Sequence, residues 1–269
     1  MGYTLKKPLK IEGIGIHSGK KASVTFLPDK RDIIFTDVDQ KVKVLLRANN
    51  ISPIFLGTNI VKNDFCVKTI EHLCAALWFL KISGLKIIVN GSEMPILDGS
   101  SQVFIEFFKK IGLVKILKED RVLEIKKSVY VQDGDSFVIG LPAKKFQVIY
   151  SVQYPSILGT QTFQFDDYRD FHHNISFART FGNMKDLEYM HSQGLALGGS
   201  LDNALVFDGY DKYLNEPRFT DEAVRHKILD LIGDLYTSSC FIKGKIIAYK
   251  SSHKLNNKFI RKLIKQFKI

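Results

Sequence analysis

Three groupings of residues have the types and spacing for chemistry. Glu71 and His72 are adjacent at the start of an apolar run, and further on His226, Asp230 and Asp234 recur every fourth residue with Lys227 beside the first. On a helix each step of four residues advances about 40° around the axis, so these three form one slowly drifting polar seam. The third grouping, Ser251-Ser252-His253, follows a strand-like run ending at Lys250. Two imidazoles and one carboxylate, here His72, His226 and Asp230, make a favoured catalytic zinc set that leaves a fourth position for water. Glu71, next to a ligand but turned by one residue, could then take a proton from that water, as the glutamate of H-E-x-x-H enzymes does at a different spacing. A metal-assisted hydrolysis of an amide also needs an acid for the departing amine. His253 is the candidate, provided that a carboxylate such as Asp234 holds it protonated.

Each grouping also has a plainer reading. Glu71 can be stabilised by a helix N-terminus beside a hydrogen-bonded core histidine, the seam can be a solvated helix face, and His253 can be a cap or surface residue. The elements that must position the groups shift the balance. Residues 70–80 are apolar all round, which predicts a helix buried on every side, where an unpaired carboxylate and imidazole are costly. A second helix is predicted over 221–237, with Val224, Ile228, Leu231, Ile232 and Leu235 as its core face. His72 and His226 open corresponding helices if the chain repeats itself. Strands are expected from about Leu9, over 22–26, 33–35 and 42–46, then the first helix, a strand over 85–89 and a helix near 102–110. The second half offers strands near 122–131, 137–141 and 146–153, the second helix, a strand over 245–250 and a closing helix over 254–267. The glycine-punctuated stretch from Gly13 to Gly19 lacks the G-x-G-x-x-G register and reads as a turn between strands. This recurrence predicts an α+β protein of two similar domains, 1–119 and 120–269, with the boundary near Leu117 to Arg121.

At 269 residues and 45% apolar composition the chain can bury a large core. Its three cysteines, Cys66, Cys74 and Cys240, include no C-x-x-C pair, so neither a disulfide framework nor a cysteine-built zinc site is expected, and a reducing cytoplasm fits. The start MGYTLKKPLKIEG has no apolar signal region, and no run approaches the roughly 18 apolar residues of a membrane span. The net charge of +11 is spread in short pairs such as Lys6-Lys7 and Lys126-Lys127, a surface that attracts anions. A basic nucleic-acid-binding α+β protein without catalysis is the competing reading, but no cluster of basic and aromatic residues supports it. A further alternative is transient contact with a membrane surface through the last helix. There Phe259, Ile260, Leu263, Ile264 and Phe267 face away from Lys258, Arg261, Lys262, Lys265 and Lys268, although packing on its own domain is the commoner use of such a helix.

The chain resembles the UDP-3-O-acyl-N-acetylglucosamine deacetylases of Gram-negative lipid A biosynthesis in seven blocks, taken in order. They are GIGIHSG (13–19), TIEHLCAAL (69–77), NGSEMPILDGSS (90–101), SFARTFG (176–182), GLALGGSLDNALV (194–206), VRHKILDLIGDLY (224–236) and AYKSSHKLNN (248–257). The resemblance implies helices layered between two small sheets, an active site at the domain junction, and hydrolysis of the substrate's acetamide to amine and acetate. It implies zinc, with ferrous iron as the alternative, on His72, His226 and Asp230, with Glu71 as general base, His253 as general acid and Asp234 supporting its charge. Thr180 matches the hydroxyl that polarises the acetyl carbonyl, and Lys227 a substrate-binding lysine. An insertion near 181–205 would form an apolar passage for the acyl chain, with Phe181 at its start and Met184, Leu187, Met190, Leu195 and Leu197 as lining candidates, though ordinary packing explains any one of them equally well. A UDP-linked acylated glucosamine is the expected partner, with no nucleic acid, for a cytoplasmic monomer. Two departures from the family pattern are expected to matter at the edges. Ser252 replaces the usual glycine and could shift its loop, and the segment 47–68 is short, which could trim the first domain. His17, His191 and the pair His172-His173 match no ligand position and read as loop or surface residues.

Overall fold

The computed structural model describes residues 1–54, 56–155 and 157–267. Its helices are α1 (Glu71–Phe79), α2 (Gln102–Ile111), α3 (Phe171–Asn174), α4 (Leu187–Ser192), α5 (Glu222–Tyr236) and α6 (His253–Lys265). Two five-stranded sheets carry most of the remaining order. The first runs Leu9–Ile14, Lys21–Pro28, Leu85–Asn90, Ile33–Asp37, Lys43–Leu45, and the second Val129–Asp133, Ser136–Leu141, Lys245–Tyr249, Gln147–Gln153, Thr160–Phe165. Both have the same topology: the central strand comes last in the chain, after α1 or α5, and pairs antiparallel on one side and parallel on the other. The repeat expected from the sequence is therefore present in the strand order.

Period-two patterning builds these sheets. In Lys21–Pro28 the side chains of Ala22, Val24 and Phe26 are buried and alternate with more exposed neighbours, so one face is committed to the core. Against that face lies α2, with the Phe26 and Phe108 rings in edge contact at 5.1 Å. α5 and α6 pack on the second sheet, and α1 packs on α5. A continuous apolar cluster runs from Phe26 and Phe35 through both α1 and α5 to Val138 and Val148. The helix carrying Glu71 and His72 is thus buried on every side, as its all-round apolar sequence requires.

Several expectations need correction. The run read as one strand over 122–131 splits: Val122–Glu124 pairs with Phe241–Lys243, and Val129–Asp133 joins the second sheet. The segment 47–68 has order of its own. It folds into a three-stranded sheet of Ile51–Ile54, Gly57–Lys62 and Phe65–Val67, and the Arg261 guanidinium of α6 donates to the carbonyls of Ala48 and Ile51 beside it. The closing helix spends its apolar face internally, with Phe259, Ile260 and Leu263 buried and Ile264 and Phe267 packed against the core. Among the described residues no apolar face is left there for a membrane surface; Lys268 lies outside them. Among the described residues no helix is long and apolar enough to cross a membrane.

Candidate metal centre

The centre forms where α1 meets α5, and one glycine allows the meeting. A Cβ on Gly233 would lie 2.1 Å from the Glu71 carbonyl oxygen, so only a hydrogen fits between the two backbones. Glycine inside a helix costs about 1 kcal/mol of propensity, which the close crossing outweighs. Gly233→Ala is expected to destabilise the protein by about 1–3 kcal/mol despite the better helix former, and to weaken retention of any ion at the crossing. Thermal melting with metal analysis checks both effects, and a more stable variant would show that propensity outweighs the contact.

Across this junction His72 and His226 bring their rings to 5.0 Å, nearly perpendicular. Asp230 Oδ1 lies 3.3 Å from His226 Nε2 and 3.8 Å from His72 Nε2, and the ligand atoms of the three residues all fall within 4.8 Å of one another. Tetrahedral ligands about 2.1 Å from an ion stand about 3.4 Å apart, and the two distances from Asp230 bracket that spacing. Asp230 Oδ1 is buried without a hydrogen-bond partner, an orphan acceptor that a cation would satisfy. His226 Nδ1 pairs with the Ala178 carbonyl at 3.0 Å, which makes it the protonated nitrogen and turns the Nε2 lone pair toward the centre. Burial and the neighbouring His226 hold His72 down at about 3, so its ring is neutral at ordinary pH. Burial works against ionisation of Asp230, but His226 and Lys227 prevail and keep it well below the usual carboxylate range. The chemistry and spacing of the donors fit a metal ion. His226, Asp230 and Asp234 are all buried, which overturns the reading of their seam as a solvated face.

Two further groups border the centre. Glu71 is buried and accepts the Thr58 backbone N–H at 3.0 Å; burial pushes its carboxyl up to about 8, with Asp234 and Asp230 adding to the rise against His253. His253 is the first residue of α6 and is buried, neither cap nor surface residue, and Ser252 caps that helix by accepting the Leu255 N–H. Ser252 is exposed, so its extra side chain stays clear of the centre. His253 Nδ1 donates to Asp234 Oδ2 at 2.9 Å, leaving Nε2 4.0 Å from Glu71 Oε1 and 3.9 Å from Asp230 Oδ2. Burial alone would lower this imidazole, but Asp234, Glu71 and Asp230 outweigh it and hold it up at about 9.

The segment 176–182 borders α5. Arg179 and Glu222 form a buried ion pair at 2.9 Å that ties this segment to the start of α5 and so fixes the Ala178 carbonyl against His226. Thr180 is held through its backbone, donating to Gly99 and accepting from Leu205. The Phe181 ring stands 6.1 Å from His226. Lys227 donates to Asp230 Oδ2 at 2.8 Å, so it neutralises the carboxylate as well as facing the Phe181 ring. In the insertion Met184 and Leu197 are exposed, at 42% and 51%, while Leu187, Met190 and Leu195 are half-buried.

His17 lies in the turn between the strands Leu9–Ile14 and Lys21–Pro28, as a loop residue, but it is not on the surface. It is buried at 8% exposure, its Nε2 donates to the Leu56 carbonyl at 3.0 Å, and the Leu197 and Gly198 amides dock on the turn that carries it. Sequence reasoning also missed Glu93, which accepts from the His17 and Ser18 amides and the Thr69 hydroxyl. A lone acidic residue in a loop gives no periodic signal, so only the surrounding block NGSEMPILDGSS marks it.

Residues 2–265 match the protein family described as UDP-3-O-acyl N-acetylglycosamine deacetylase. The UDP-3-O-acyl-N-acetylglucosamine deacetylase of Saccharophagus degradans is 40% identical over 273 residues, covering 98% of this chain and 90% of that protein. Those of Histophilus somni and Pasteurella multocida are each 41% identical over 272 residues, covering 97% of this chain and 89% of theirs.

Proposed function

The chain belongs to the UDP-3-O-acyl N-acetylglycosamine deacetylase family, and from that premise we propose that it removes the acetyl group from a UDP-3-O-acyl-N-acetylglucosamine in lipid A biosynthesis, using zinc held by His72, His226 and Asp230. The observation that carries the reading is the convergence of those three ligand atoms within 4.8 Å, beside a buried carboxyl and a buried imidazole. Residues 1–119 and 120–269 act as two domains with the site between them. Zinc would supply Lewis acidity, making a water acidic near neutral pH and drawing charge from the acetyl carbonyl.

The chain's own groups do the rest. Glu71 takes a proton from the water as its oxygen bonds to the amide carbon, and the Thr180 hydroxyl donates to the carbonyl oxygen as charge builds there. His253 then delivers its Nε2 proton to the amide nitrogen, so that the C–N bond breaks to give the free amine and acetate. Lys227 meets the anionic part of the substrate, and Phe181, Met184, Leu187, Leu195 and Leu197 border the acyl chain. The enzyme works in the cytoplasm as a monomer. Acetate release from the UDP-3-O-acyl substrate is expected to stop with a chelator and return with zinc, ferrous iron being the comparison ion. Release that persists in metal-free protein would overturn the reading.

A further inference from the structure

We propose that Thr58 is a positioning residue that holds the Glu71 carboxyl and the Asp234–His253 pair in one frame. The inference rests on the function proposed above. Thr58 is almost fully buried, on the strand Gly57–Lys62 of the three-stranded sheet, and all three of its polar groups point at the catalytic elements. Its carbonyl accepts the N–H of Ile70, the residue that precedes α1, at 3.0 Å. Its own N–H donates to Glu71 Oε2 at 3.0 Å, and its hydroxyl donates to Asp234 Oδ1 on α5 at 2.5 Å.

Asp234 spends its other oxygen on His253 Nδ1 and the Asn256 amide, at 2.9 and 2.8 Å. The Thr58 hydroxyl is therefore what fixes the rotation of this carboxylate about its Cβ–Cγ bond from the Oδ1 side, and the carboxylate in turn aims the imidazole. A β-branched side chain in a strand has few χ1 choices, so the hydroxyl is aimed before the partner arrives. One residue of the first half thus sets the base through its backbone and the acid's partner through its side chain. Misplacing a catalytic group by about 1 Å can cost roughly 100-fold in rate.

The test compares Thr58→Val, which keeps the volume and removes the hydroxyl, with Thr58→Ser, which keeps the hydroxyl. The zinc-loaded valine variant is expected to lose about 10- to 100-fold in kcat with KM and metal content unchanged, and the serine variant to recover most of the loss. Proton NMR of the His253 Nδ1–H, which needs no turnover, is expected to move in the valine variant and to stay in the serine variant. A valine variant with unchanged kcat and resonance overturns the proposal, as does an equal loss in both variants with a matching fall in melting temperature. Should the valine variant not fold, Thr58→Cys, with a weaker donor of similar size, must give an intermediate kcat; a wild-type value overturns the proposal. Wild-type protein that releases no acetate sinks the functional reading instead, and the resonance alone then decides on Thr58.

Discussion

Replacing Glu71 by Gln is expected to lower kcat by about 100- to 10,000-fold, the range for loss of a general base, while the folded protein keeps its metal. The amide has the volume of the carboxyl and can still accept the Thr58 N–H, so the start of α1 should not move. It cannot take a proton. In the metal-free protein Glu71 is held up at about 8 by burial and by the carboxylates of Asp234 and Asp230. A divalent cation alongside favours its ionised form and brings it into the range of a base that works near neutral pH. His72→Ala, one residue on, has a different expected outcome. It removes a ligand atom, and metal affinity should fall by more than the roughly 10- to 100-fold typical of losing a hydrogen-bond partner behind a ligand. Metal analysis of the two purified variants with steady-state kinetics separates the roles. Equal metal loss in both would remove Glu71 from the role of base.

That adjacent residues divide so cleanly follows from α1, and α1 was the most legible element in the sequence. Its apolar residues surround the axis, so Glu71 and His72 had to be buried, and burial restricts a carboxylate and an imidazole to a few uses. The second helix was legible as a helix, but its polar seam was not legible as buried, because a periodic row of His and Asp looks the same in water and at a junction. The deciding residue is Gly233, whose missing side chain lets α5 reach the Glu71 backbone. A single glycine within GDLY does not announce a helix crossing. The repeated strand order could be read because alternation marks strands wherever one face is committed to the core. The sheet over 51–67 could not, since its strands are short and their partners are set by α6 and α1 rather than by pattern. Thr58, Glu93 and His17 were missed for the same reason: each acts through contacts with segments distant in the chain, which spacing within one element cannot reveal.

His253→Gln is expected to lower kcat by about 100- to 10,000-fold and to remove the basic limb of the pH–rate profile. The sign follows from the folded imidazole. Its pKa is raised above the ordinary histidine value of 6.5 to about 9, because Asp234, Glu71 and Asp230 together outweigh the burial that opposes its charge. The protonated form therefore persists well above pH 6.5, and the acid is lost only as pH rises through the folded value. A cation bound beside it lowers that value, so the wild-type basic limb should have its midpoint at or below about 9. Asp234→Asn gives the complementary result. It removes the charge that contributes most to holding the proton, at 2.9 Å from Nδ1, and should move the midpoint down by about one pH unit or more while the limb remains. Loss of the limb in one variant and its displacement in the other is a pattern that general damage to the site would not produce, since damage lowers the whole profile without moving its shape. An unchanged bell in His253→Gln would remove His253 from the role of acid.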